Sequence, residues 1–165
     1  MESIVQSLTE LFGGLGKEVI VFIISMLPIL ELRGGLIAAS LLKVNFWTGY
    51  FISIVGNILP IPFVLLFLEK IFAFLKKFKV PERIVTRLEK KILSKKKQID
   101  KYGYFGLLLF VGIPLAVTGA WTGSALAAFL HLDRKKAFIY ILLGVILASI
   151  IMSVFSYGIL DAIIK

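Results

Sequence analysis

The apolar positions of this chain fall into four long stretches, residues 19–42, 46–75, 104–130 and 137–160, parted by short polar turns and one long basic segment. A helix needs about 20 mostly apolar residues to cross roughly 30 Å of hydrocarbon, and every stretch is long enough. The pattern predicts an all-α integral membrane protein. Two of the stretches, however, are interrupted. The first carries Pro28-Ile29-Leu30-Glu31-Leu32-Arg33-Gly34-Gly35 near its middle. A straight span would leave Glu31 and Arg33 close to the bilayer centre, where charges are costly unless paired or hydrated. If residues 28–35 form a turn instead, each limb has about 10–12 residues and measures about 15–18 Å, half the hydrocarbon thickness. The third stretch contains Gly112-Ile113-Pro114 and then Thr118-Gly119-Ala120-Trp121-Thr122-Gly123, a run too rich in turn formers for an undisturbed helix.

Residues 19–42 and 104–130 are therefore expected to be re-entrant hairpins, entering and leaving on one side. Pro28, Gly34, Gly35, Pro114, Gly119 and Gly123 would shape their tips. Residues 46–75 and 137–160 are expected to span. The second stretch adds Gly56-Asn57-Ile58-Leu59-Pro60-Ile61-Pro62. Its prolines remove backbone donors and free carbonyls, which Asn57 would satisfy unless it lines a cavity.

The halves also repeat. An offset of 88 residues lays Lys43-Val44-Asn45 on His131-Leu132-Asp133, Gly35 on Gly123 and Gly56 on Gly144; Pro28 meets Pro114 after a two-residue adjustment. Asn45 and Asp133 are good helix N-caps before long apolar helices. The predicted architecture is a single membrane domain over 1–165. Repeat 1 occupies 17–75, and repeat 2 occupies 102–165. One span per repeat inverts the second relative to the first, an arrangement used by transporters, and two hairpins entering from opposite faces would bring Glu31 and Arg33 near Thr118 and Trp121.

Charge sharpens the topology. Eleven of the 19 basic residues lie between positions 76 and 101, where apolar residues recur every three to four positions. This segment reads as a basic amphipathic helix on an anionic leaflet, or equally as a positively charged cytoplasmic loop. Four full spans would put it on the opposite side from Arg134-Lys135-Lys136, against the positive-inside tendency; two hairpins put both clusters in the cytoplasm. The net charge of +9 is thus assigned to the membrane surface and not to nucleic acid. Residues 1–16 show helical apolar spacing and are expected to lie at the interface, with no signal-peptide pattern before residue 19. The chain has no cysteine and one histidine, His131. No metal site, no cofactor and no nucleophile–base constellation is expected, so an enzyme is the least favoured class.

These motifs together resemble the small multi-drug export protein family, usually placed near the DedA superfamily. The resemblance rests on Leu27 to Gly34, on Gly56 to Pro62, on Tyr102-Gly103 with Gly112-Ile113-Pro114, and most of all on Thr118 to Gly123. It implies a prokaryotic inner-membrane protein with DedA-like re-entrant hairpins and a transport role. The chain departs from the family pattern at Leu36-Ile37-Ala38-Ala39, where an Ile-Pro-x-Gly continuation is common, and at Pro114-Leu115-Ala116, where Pro-x-Pro is common. It also lacks the arginines typical of the second DedA hairpin.

The expected substrate- or ion-binding residues are Glu31, Arg33, Asn57, Thr118, Trp121 and Thr122. Glu31 is the candidate for a proton- or cation-coupled carboxylate, or else a structural partner of Arg33, which its i, i+2 spacing would allow only within a turn. Arg33 suits an anionic head group. Trp121 is either a cavity wall or a packing anchor, and the threonines either bind substrate or satisfy broken-helix carbonyls. The expected function is secondary export or flipping of a lipophilic, amphipathic or anionic lipid-linked substrate, in contact with membrane lipids. The alternatives are an uncoupled lipid scramblase and a non-transporting assembly factor. A second protomer, giving a homodimer, is expected to help enclose the hairpins.

Overall fold

The computed structural model describes residues 14, 16–77, 86, 90, 96–113 and 119–159. All but residues 14 and 16 of the N-terminal helix expected over 1–16, most of the basic segment 76–101, and both Pro114 and Thr118 therefore lie outside the described residues. Within them the chain is all-helical. Helix α1 spans Lys17–Met26, α2 Glu31–Leu41, α3 Phe46–Ile58, α4 Pro60–Lys77, α5 Lys96–Gly112, α6 Ala120–Phe129 and α7 Arg134–Ser153, with a π-helical turn over Val154–Ile159.

Each boundary has a local cause. Helix α1 stops because Leu27 precedes Pro28, whose ring disfavours helical backbone before it; Leu27 is accordingly extended, with φ −71° and ψ 134°. Residues 27–30 then turn the chain, and α2 packs back against α1. Helix α2 ends with Lys43 in the left-handed region (φ 51°), which brings the Val44 N–H to the Ala39 carbonyl at 2.9 Å. Asn45 caps α3 by accepting the Trp47 N–H at 3.0 Å. The second half repeats this junction. His131 has φ 51°, the Leu132 N–H reaches the Ala127 carbonyl at 3.0 Å, and Asp133 caps α7 through the Lys136 N–H at 2.9 Å.

A likeness between the halves is also seen in helix packing. A Cβ on Gly56 would lie 2.8 Å from the Phe22 carbonyl oxygen of α1, and one on Gly144 would lie 2.8 Å from the Leu108 carbonyl oxygen of α5. Both glycines let a hairpin helix approach a long helix closely. The offset between Phe22 and Leu108 is 86 residues, whereas Gly56 and Gly144 differ by 88, so the adjustment needed to pair Pro28 with Pro114 falls inside the hairpins. Helix α5 turns at Gly103 (φ 57°), which separates its basic start from its apolar limb.

Among the described residues, two helical stretches are long and apolar enough to cross a membrane, Phe46–Leu68 and Arg134–Ser156, with mean hydropathies of 2.3 and 2.7. Only 39% and 33% of their apolar windows are buried. On the first, Trp47, Phe51, Val55, Leu59, Phe63 and Phe67 recur every fourth residue and are all exposed. A soluble surface does not carry so long an apolar stripe; a lipid-facing helix does. The prolines of this rod produce no sharp break, because Leu59 between α3 and α4 stays helical at φ −54°, ψ −43°.

Two clusters form the interior. The smaller joins Ile20, Val21 and Ile24 of α1 to Ala38, Ala39 and Val44. The larger carries Leu32 and Leu36 of α2 into the second half, among Leu107, Val111, Leu126 and Ile141. Helix α2 is thus packed into the second half of the chain.

The turn between α1 and α2 is shorter than the glycines suggest. Gly34 and Gly35 are not tip residues but lie inside α2, and Gly123 lies inside α6. Their function is contact: a Cβ on Gly34 would press on Leu30 and Ile24, one on Gly35 on Ser25 and Ser53, and one on Gly123 on Val111. Gly119 directly precedes α6, as its N-cap residue.

Candidate functional site

Helix α6 begins at Ala120 with Gly119 in the cap position, so it has no side chain of its own to receive its first free N–H groups. Glu31 supplies the cap from α2, in the other half of the chain. Its carboxylate accepts the Ala120 N–H at 3.1 Å on Oε2 and the Trp121 N–H at 3.2 Å on Oε1. The positive end of the α6 dipole adds to the attraction. Glu31 is itself the first residue of α2 and takes φ 49°, a left-handed conformation that non-glycine residues seldom adopt. The strain aims the side chain across the hairpin gap, and Glu31 is 7% exposed.

The contact is reciprocal. The Trp121 indole N–H donates to the Met26 carbonyl at 3.0 Å, satisfying one of the free carbonyls at the end of α1. Each tip therefore satisfies backbone groups that the other leaves open. The internal offset lays Glu31 on Gly119, and these two positions meet: a Cβ on Gly119 would collide with the Glu31 carboxylate. Only glycine admits the carboxylate to the helix end.

A small cavity of about 10 Å³ lies beside this junction, lined by Glu31, Leu32, Arg33, Asn57, Val111, Gly119, Ala120, Val145 and Ala148. Arg33 is half-buried and close enough for its charge to act on the Glu31 carboxylate. Asn57, on α3, is 2% exposed, and its Oδ1 finds no hydrogen-bond donor in the protein. Tyr50 and Ser149 tie α3 to α7 through a 2.8 Å hydroxyl pair. Since the Ser149 hydroxyl donates to the Ile146 carbonyl at 2.7 Å, the pair is supplied by the Tyr50 hydrogen.

Of the sequence candidates, Glu31, Arg33, Asn57 and Gly119 come together at the cavity, and Trp121 joins through its backbone and indole. Thr122 is partly buried in α6 and does not line the cavity. Pro28 is exposed in the first turn. The sequence reading missed the main-chain N–H of Ala120, though a capless Gly119 before an apolar helix is the signal that pointed to it. Among the described residues no three His, Cys, Asp or Glu side chains cluster as a metal site. Chemically, the junction offers a buried carboxylate held by helix N–H groups, a guanidinium beside it, and an amide with an open acceptor.

The sequence profile of the small multi-drug export protein family matches residues 31–151, from Glu31 through most of α7. The chain belongs to that family. No curated protein and no solved structure matches it.

Proposed function

We propose that this member of the small multi-drug export protein family is a secondary transporter whose working site is the Glu31–α6 junction. Two re-entrant hairpins, α1–α2 and α5–α6, enter the bilayer from opposite faces as an inverted repeat and meet at their tips. The long helices α3–α4 and α7 span. The protein sits in a prokaryotic inner membrane with the basic segment 76–101 in the cytoplasm, and a second protomer completes the wall around the hairpins.

The observation that carries this reading is the Glu31 carboxylate seated on the N-terminus of a helix 89 residues away. A buried ionisable group inside a membrane protein marks an ion or substrate path by default. Here the group also holds the two tips together. An ionised carboxylate accepts strongly from the Ala120 and Trp121 N–H groups, and a protonated one accepts weakly. Arrival of a proton or cation at Glu31 thereby loosens the junction, which is the coupling a two-state transporter needs. Arg33 beside it suits the head group of an anionic, lipid-linked substrate; Glu31 suits a lipophilic cation. Transport, and not catalysis, is the use this chemistry favours.

The test is flux in proteoliposomes, with ethidium as the cationic probe and a fluorescent anionic phospholipid as the lipid probe. Flux of at least one probe is expected, driven by a proton gradient and lost in the Glu31→Gln, Arg33→Ala double variant. Undiminished flux in that variant would sink the site assignment. Flux indifferent to any gradient would favour uncoupled scrambling.

A further inference from the structure

Asn57 is the buried polar group that the junction leaves unused. It stands on α3 one turn before Pro60, it is 2% exposed, and its Oδ1 receives no donor from the protein. Leaving an amide oxygen dry in an apolar interior is costly, and such atoms are normally satisfied by an ordered water when space permits. Space is present. Asn57 and Glu31 line the same cavity of about 10 Å³, which is about the room one water requires.

The lining selects the occupant. Two oxygen acceptors, Asn57 Oδ1 and the Glu31 carboxylate, call for a donor, which excludes an anion. Arg33 opposes a metal cation. The remaining elements around the cavity contribute Val111 of α5, the Gly119–Ala120 backbone and Val145 and Ala148 of α7, so Arg33 is the only other charged group among the described residues that line it. A neutral molecule with two donors fits.

We propose that this cavity is a binding site for a single water molecule bridging Asn57 to Glu31, and that Asn57, through that water, positions the proton chemistry of Glu31. One water hydrogen goes to Asn57 Oδ1 in every state. The other goes to the ionised carboxylate; when Glu31 is protonated, its O–H donates to the water oxygen instead. Asn57 therefore fixes a water whose remaining bond reverses with the charge of Glu31. The inference rests on the reading of Glu31 as the coupling carboxylate.

Infrared difference spectroscopy on the chain in lipid vesicles, titrated in H2-16O and H2-18O, tests it without any substrate. The carboxyl band that disappears in Glu31→Gln marks Glu31. Protonation of Glu31 is expected to change an 18O-sensitive O–H stretch of a buried water. In Asn57→Leu, which matches the amide in shape, that band should vanish and Glu31 should take its proton at a pH higher by about one unit, a tenfold change. If the wild-type difference spectrum carries no 18O-sensitive band, the water site is wrong. This comparison needs no variant and decides the matter even if Asn57→Leu does not fold. An unchanged midpoint in a folded Asn57→Leu would equally overturn the role of Asn57. Either result, with flux still dependent on Glu31 and Arg33, removes this inference and leaves the transport reading intact. A Glu31 band that never titrates between about pH 4 and 10 removes both.

Discussion

Glu31 and Trp121 join the two halves of the chain: the carboxylate of one accepts the main-chain N–H of the other at 3.2 Å, while the Trp121 indole reaches back to Met26, five residues before Glu31. The residues come from opposite halves of the chain. Their bonds stand beside Leu32 and Leu36, which pack into the second half, and the Tyr50–Ser149 hydroxyl pair adds a further polar link between the halves.

Removing the carboxylate leaves two helix N–H groups without acceptors in a buried place. Glu31→Ala is expected to lower stability by about 1–3 kcal/mol, the cost of orphaning donors that were bonded to a charged group. Reversible unfolding in mixed micelles measures it. A variant as stable as wild type would mean that the α6 cap is dispensable.

Trp121→Phe keeps the ring and deletes only the indole donor. The expected loss is about 1 kcal/mol, the usual net value of one hydrogen bond. A Glu31→Ala, Trp121→Phe double variant should lose less than the sum of the single losses, because both bonds serve one contact. Strict additivity would argue that the tips move independently.

Gly119→Ala places a methyl group where the Glu31 carboxylate sits. Overpacking of this kind costs about 1–3 kcal/mol. The collision is specific, so adding Glu31→Ala should restore part of the loss. Thermal unfolding of the two variants decides it: no rescue would mean that the methyl disturbs α6 for some other reason.

Gly56→Ala and Gly144→Ala should behave alike. Each would set a Cβ 2.8 Å from a carbonyl oxygen of the neighbouring hairpin helix, Phe22 in one half and Leu108 in the other. Both are expected to lose about 1–3 kcal/mol. A large effect at one and none at the other would show that the halves pack differently.

Much of the local structure is legible in the sequence because its causes are local. Asn45 and Asp133 cap the helices their side-chain chemistry suits, and Leu27 ends α1 because a proline follows. The 88-residue offset that pairs Lys43 with His131 pairs two left-handed backbones. Gly34, Gly35 and Gly123 mislead for a physical reason. Between membrane helices a glycine serves close packing as readily as it serves a turn, and sequence alone does not separate the two uses. The nearness of Glu31 to Trp121 is expected from two opposed hairpins, but that the α6 main chain is its partner is legible only in three dimensions. Sequence offers Arg33 two residues away; the fold brings α6 from 89 residues away and gives the carboxylate two backbone donors.

The central claim is that the two hairpins enter from opposite faces and meet at Glu31. The chain contains no cysteine, so single thiols can be placed without removing any. Lys43 follows α2 and Lys135 opens α7, and both are exposed. Labelling of Lys43→Cys and Lys135→Cys with a membrane-impermeant maleimide, in vesicles of defined orientation, tests the claim most directly. The account predicts reaction from opposite faces, with Lys135→Cys on the cytoplasmic side. Reaction of both from one face would mean four full spans, and would contradict it.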